Sequence, residues 1–204
     1  MKLIGKLDSP YVRRVAISLT LMDIPFEHLS LSVFRDKAAF AAINPLLKAP
    51  TFVTQDGRVL MESTLILDHL EHGLPSEKRL MPEDQSERTR ALYILGLALA
   101  AADKSVQLVY ETKLRPEESQ YEPWVERVTA QARTAFAELE KSYAGLDGEW
   151  LPGTLSQADI TTAIAWTFAR NEIPNVINAE AHPALIRLAA RTEELPAFQK
   201  WQPE

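Results

Sequence analysis

The stretch Asn44-Pro45-Leu46-Leu47-Lys48-Ala49-Pro50-Thr51-Phe52-Val53 decides how the rest of the chain is read. Pro50 opens an apolar, β-prone run, and a proline, having no N–H to give to a ladder, marks an edge or a turn. It also drives Ala49 into an extended conformation, so that the Ala49 amide and carbonyl face sideways like the rim of an unfinished sheet. An extended peptide pairs with such a rim. A cis Ala49-Pro50 bond would fix that presentation, and the sequence leaves the isomer open.

Downstream, Arg58 to Met61 reads as a short strand that runs into Glu62-Ser63 and an apolar helix from Thr64 to His72. Ser63 is expected to be the N-cap, which offers backbone N–H groups and partial positive charge to a carboxylate. Glu62 beside it offers a counter-charge to an amine. Upstream, Lys2 to Leu7 is a strand, and Ser9 as N-cap with Pro10 at the first helical position starts a helix. Its apolar stripe is Val12, Val15, Ala16, Leu19 and Met22, which leaves Arg13 and Arg14 as a solvated face from which either could reach a carboxylate. Pro25 ends that helix, Phe26 to Leu31 is a second strand, Lys37 to Ile43 is helical, and Asp56-Gly57 marks a hairpin. The order β-α-β-α-β-β-α is that of a thioredoxin-like domain, assigned to residues 1–75.

Residues 76–84, with Pro82 and mixed charges, form a linker. Residues 85–204 are expected to be an all-α bundle. Glu87 to Lys113 and Tyr121 to Tyr143 are long helices, Gly145 and Gly148 break the second, a third starts at Ser156-Gln157-Ala158-Asp159, and a fourth runs from Pro183 to about Glu194. The overall class is therefore α/β followed by all-α.

Composition narrows the function. The 204 residues are 46% hydrophobic and 25% charged, ordinary for a soluble protein. A net charge of -6 opposes a nucleic-acid or anionic-membrane surface, both of which want a basic patch. Without cysteine there is no disulfide, thiolate metal site or thiol nucleophile. Lys6 and Asp8 interrupt any signal-peptide core, and the apolar run Ala91 to Ala102 falls short of the ~20 residues of a membrane span, so a cytoplasmic protein is expected. His28, His69, His72 and His182 make no metal-ligand pattern, and the glycines no phosphate loop.

The motifs Ser9-Pro10-Tyr11-Val12-Arg13-Arg14-Val15, Asn44-Pro45 with Lys48-Ala49-Pro50, Glu62-Ser63, Leu80-Met81-Pro82-Glu83-Asp84, Tyr110-Glu111, Gly153 with Ser156 to Ile160, and Pro196-Ala197-Phe198 together resemble the glutathione S-transferase family, in its serine-type bacterial form. The resemblance implies a cytosolic homodimer that binds glutathione as co-substrate in the first domain, with no metal, and a small apolar electrophile against the second. It assigns thiol activation to Ser9, with Tyr11 as rival, and the glutathione contacts to Lys48, Ala49, Pro50, Glu62 and Ser63. Arg35 is a further carboxylate candidate, Asp103 a candidate for reaching the partner's ligand, and Tyr110 and Trp201 candidates for the electrophile wall. Leu47 departs from a family that often has glycine there. Ser156 and Asp159 resemble the family's helix-start motif and are read as structural.

The chemistry required is modest. A free thiol of pKa about 8.5 is roughly 3% thiolate at neutral pH, and lowering it by about two units takes roughly 2.7 kcal/mol. One hydrogen bond to the anion contributes about 1.5 to 3 kcal/mol and a helix N-terminus about 0.3 to 1. Ser9 at a helix start suffices, because a serine hydroxyl accepts a backbone N–H and still donates its own proton. Conjugation of the thiolate is the expected activity. Glutathione-dependent peroxide reduction uses the same thiolate, and a non-catalytic interaction module is the alternative.

Overall fold

The computed structural model describes residues 1–146, 149–151 and 153–204; Gly148, expected to break a helix, lies outside the described residues. The chain divides into two compact units, one of Met1–Leu80 with Glu194–Glu204, the other of Met81–Glu193. The expected boundaries differ from this at the carboxyl end, where residues 194–204 group with the first unit rather than with the helices that precede them.

The first unit is built on a four-stranded sheet, β1 (Lys2–Ile4), β2 (Glu27–Leu29), β3 (Thr51–Val53) and β4 (Val59–Met61), in the order β2-β1-β3-β4. β1 and β2 are parallel and joined through α1 (Pro10–Leu21), as a parallel pair requires a crossover. β3 runs antiparallel to both β1 and β4, with Thr51 opposite Ile4 and Met61. It is thus an interior strand. Of the edge or turn that Pro50 was expected to mark, the structure shows the turn: Ala49 and Pro50 form the bend that leads into β3. The hairpin to β4 turns at Gly57, whose φ of 83° is the conformation glycine adopts without penalty. α2 (Lys37–Ala41) and α3 (Ser63–His72) complete the unit. Leu3, Ile4, Val12, Val15, Ala16, Leu19, Phe52 and Ile66 are fully buried and form its core.

Arg13 and Arg14 are also buried, at 2% and 1% exposure, so the solvated face expected of them is absent. Arg13 is covered by α8 (Pro196–Lys200) and the residues after it: its Nε donates to the Trp201 carbonyl at 2.8 Å, and its guanidinium lies 5.5 Å from the Phe198 ring. The Trp201 indole donates to Thr20 Oγ1 at 2.7 Å and packs on Phe26 at 5.1 Å, occupied in holding α1 rather than walling a site.

The second unit packs α4 (Gln85–Val109) against α5 (Glu122–Ala144) and α6 (Gln157–Glu172), with α7 (Pro183–Glu193) beside them. α4 continues through a π-helical turn to Leu114, longer than the apolar run inside it. Residues 85–114 are long and apolar enough to cross a membrane by length and composition, with a mean hydropathy of 1.4 over 18 residues. The inward residues Ala91, Ile94, Ala98, Ala101 and Leu108 are those of a bundle core helix. At the start of α6, Ser156 and Asp159 form a capping box. Asp159 also accepts from Leu151 N at 2.9 Å and Tyr143 Oη at 3.1 Å; burial raises its pKa, and these hydrogen bonds oppose the rise. Glu140 on α5 caps α7, taking the Ala184 N–H at 2.9 Å and the Leu185 N–H at 3.0 Å.

Candidate functional site

Three loops of the first unit carry the candidate residues. The first follows β1. Gly5, at φ 137°, allows the chain to turn where a side chain has no room: a Cβ there would lie 2.6 Å from Val12 Cγ2 and 3.0 Å from Ala49 Cβ. The first turn of α1 and the Ala49 segment therefore meet over this glycine. Ser9 is the N-cap of α1, its Oγ accepting the Val12 N–H at 3.4 Å. That bond is long, and the hydroxyl gives its own proton to no acceptor among the described residues. Half-buried Tyr11 lies inside the first turn, close enough to Arg14 for its charge to be felt there.

The second loop runs from Asn44 to Pro50. Asn44 is 1% exposed and ties it at both ends, its Nδ2 donating to Thr51 Oγ1 at 2.8 Å while its Oδ1 accepts the Leu46 N–H at 3.0 Å. Thr51 Oγ1 closes the turn onto the Lys48 carbonyl at 2.7 Å. Leu47 takes the left-handed conformation at φ 51°, which favours glycine over a residue with a Cβ. The Ala49-Pro50 bond is cis, and the Ala49 backbone makes no hydrogen bond among the described residues. Lys48 is exposed.

The third is the junction of β4 and α3. The N-cap is Glu62, not Ser63 as expected: its carboxylate accepts from Thr64 N at 3.2 Å and Leu65 N at 3.3 Å, and Ser63 is the first helical residue. Glu62 holds φ 74°, which is costly for a residue with a side chain. Among the described residues the Ser63 N–H makes no hydrogen bond, while its hydroxyl donates to Glu62 Oε1 at 3.4 Å. An uncapped helical N–H, a hydroxyl and a carboxylate thus stand together. Arg14 braces the junction from beneath, one Nη1 donating to Ser63 Oγ and Thr64 Oγ1, each at 3.1 Å. Burial lowers the Arg14 pKa to about 10, and the charges of Glu62, Glu71 and Tyr11 oppose that fall.

Val12 in the first turn of α1 and Ala49 both border Gly5, and Ser63 is joined to α1 through Arg14. Arg35 is exposed, its backbone N–H held by Ser32 Oγ at 3.1 Å. Asp103 and Tyr110 belong to the other unit. Asp103 pairs there with Lys104 at 3.0 Å and accepts from Gln107 at 2.7 Å, and Tyr110 is half exposed. Among the described residues no cluster of His, Cys, Asp and Glu is arranged to hold a metal. Sequence reasoning missed Gly5, Asn44 and Arg14. A signal existed for the last, since Val12, Val15, Ala16 and Ile17 surround it and a helix apolar on all sides is a buried one.

The sequence profile of the glutathione S-transferase amino-terminal domain matches residues 3–78. The GST-like protein YibF of Escherichia coli strain K12 is 30% identical over 165 residues, covering 81% of this chain and 80% of that protein. Among solved structures, a glutathione S-transferase from Methylobacterium radiotolerans JCM 2831 in complex with glutathione sulfonate superposes with a TM-score of 0.90 at 27% identity, over 99% of this chain and 94% of that one. A glutathione transferase family member from Pseudomonas fluorescens Pf-5 with bound glutathione gives 0.81 at 28% identity, over 100% of this chain and 98% of that one.

Proposed function

The chain belongs to the glutathione S-transferase family, and we propose that it binds glutathione on its sheet-containing unit, ionises the thiol at Ser9 and adds the thiolate to a small apolar electrophile. The observation that carries the reading is the Ser9 hydroxyl, which spends a lone pair on the helix cap and keeps its proton for an acceptor. A thiolate is such an acceptor, and the partial positive charge of the α1 start favours the same anion. The glutathione bound in the Pseudomonas fluorescens relative, and the glutathione sulfonate in the Methylobacterium radiotolerans one, support the choice of ligand.

In this reading the cysteinyl backbone pairs with Ala49, whose N–H and C=O are presented beside Pro50. The γ-glutamyl ammonium meets the Glu62 carboxylate, and its α-carboxylate meets the Ser63 N–H and O–H. Lys48 reaches the glycine carboxylate from an exposed position, as a weaker, solvent-screened contact. Tyr11 is left to the electrophile, and Arg35 remains a second carboxylate contact. The same thiolate would reduce peroxides. Family membership further supports a cytoplasmic homodimer acting in detoxification, with Asp103 directed at the partner's ligand. Light scattering after size exclusion reads that directly: a monomer at micromolar concentration ends the role given to Asp103.

Glutathione titration followed by melting temperature and by ultraviolet thiolate absorbance tests the function. Binding with a thiol pKa about two units below the free value of about 8.5 is expected. A protein that melts unchanged in millimolar glutathione is an interaction module instead. One that binds glutathione without ionising it is a carrier and not a transferase.

A further inference from the structure

Arg14 lies behind the α3 junction rather than in it, and the polarity of its hydrogen bonds has a consequence for binding. A guanidinium only donates. By donating into Ser63 Oγ at 3.1 Å, Arg14 takes up a lone pair on that oxygen and turns the Ser63 proton outward, where it finds Glu62 Oε1 at 3.4 Å. Its second bond, to Thr64 Oγ1 at 3.1 Å, fixes the guanidinium against the first turn of α3. The chain therefore runs one way, from Nη1 through Ser63 to an acceptor on the far side, and it cannot reverse because its first member has nothing to accept with.

We propose that Arg14 is a positioning residue that, by occupying one lone pair of the Ser63 hydroxyl, biases Ser63 towards donation on its far side, and so makes the site selective for a ligand carrying a carboxylate beside its amine, as the γ-glutamyl end of glutathione does. The proposal rests on the glutathione reading above and adds to it the reason a carboxylate is recognised. Without Arg14 the Ser63 hydroxyl turns freely and presents a lone pair to the ligand as readily as a proton, which repels a carboxylate. The buried positive charge has the same preference: desolvation leaves it charged at neutral pH, since its pKa is lowered only to about 10.

The test compares two ligands on the full chain by isothermal titration calorimetry: glutathione, and γ-aminobutyryl-cysteinyl-glycine, which is glutathione without the α-carboxylate. The wild-type protein is expected to favour glutathione at least tenfold. Arg14→Met is expected to weaken glutathione about tenfold, the size of one charge-assisted hydrogen bond, and to leave the analogue within about twofold. Equal weakening of both ligands, or a preference as large as in the wild type, overturns the role of Arg14 while leaving the glutathione reading in place. Wild-type protein that binds neither ligand removes both. Should Arg14→Met lose its cooperative melting, Arg14→Lys carries the comparison, because a buried lysine keeps the charge while its ammonium falls short of the position of Nη1. It is expected to lose at least threefold of the preference with the analogue unaffected, and a preference equal to wild type overturns the proposal.

Discussion

The starts of α1 and α3 are the same device built in two ways. α1 is capped by the hydroxyl of its own Ser9 in relaxed extended geometry, at φ -72° and ψ 121°. α3 is capped by a carboxylate on a residue at φ 74° and braced by an arginine from another helix. The first arrangement leaves one proton unspent and little else fixed, which suits a single reacting atom. The second fixes a hydroxyl, an amide and a carboxylate in relation to one another, which suits a ligand end bearing two opposite charges. Backbone strain at Glu62 and a desolvated charge at Arg14 are the costs of that fixity, and they fall where recognition needs it.

The comparison is broken most directly at Glu62. Glu62→Ala removes the counter-charge for the ammonium and the cap of α3 together. Affinity for glutathione is expected to drop about 100-fold, as for loss of a charged hydrogen-bond partner, and stability by about 1 kcal/mol for the cap. The pKa of whatever thiol still binds should not move. Wild-type affinity in this variant, measured by calorimetry, would take the amine anchor away from the α3 start.

Ser9→Ala is the mirror experiment. It should raise the pKa of bound glutathione by more than one unit and slow conjugation at neutral pH roughly 30-fold, with affinity changed less than about threefold. Spectroscopic titration of the thiolate separates the two. If the pKa is unmoved, the donor is another group, with Tyr11 in the same turn the first to examine, and the division between a reactive start and a binding start no longer holds.

A third variant measures the cost of the brace. Burial lowers the Arg14 pKa from its ordinary value to about 10, so the fold disfavours the charged form. For a base with a lowered pKa that cost is present below the folded value, through neutral pH, and is relieved as pH rises past about 10. Against that cost stand the hydrogen bonds to Ser63 and Thr64, of about 1 kcal/mol each, and the attraction of Glu62 and Glu71. Arg14→Met loses the cost together with these contacts and is expected to melt within about 3 °C of wild type, even as it loses ligand selectivity. A fall of 10 °C or more in calorimetry would make Arg14 a pillar of the fold first.

What the sequence disclosed about these two starts follows from how local each signal is. Ser9-Pro10 announces a cap and a first helical position in adjacent residues, and the helix begins there. Pro50 and Asp56-Gly57 likewise mark a strand entry and a turn that the structure contains. At α3 two adjacent residues can both cap, and the choice of Glu62 over Ser63 is made by a left-handed backbone that no glycine advertises. Arg14 reaches Ser63 across 49 positions, and Arg13 reaches Trp201 across 188, so although the apolar residues around Arg14 hint at its burial, neither partner is encoded within any window a periodicity samples. The same distance hid the grouping of residues 194–204 with the first unit.

Leu47 offers the finest version of the contrast, because it shares with Glu62 a left-handed backbone on a residue with a side chain, at φ 51° against 74°. Glu62 uses that backbone to aim a carboxylate, whereas the half-buried Leu47 side chain holds no hydrogen bond. The conformation costs a residue with a Cβ about 1 to 2 kcal/mol, and glycine avoids that while giving up about 0.5 to 1 kcal/mol through a freer unfolded chain. Leu47→Gly should accordingly leave stability unchanged or raise it by up to about 1 kcal/mol, a shift of at most about 4 °C in melting temperature, with glutathione affinity within twofold. A loss above 1 kcal/mol would show that Leu47 packs for stability more than its backbone costs. In that case left-handed backbone in this unit would no longer separate a residue held for its ligand from one merely tolerated in a turn.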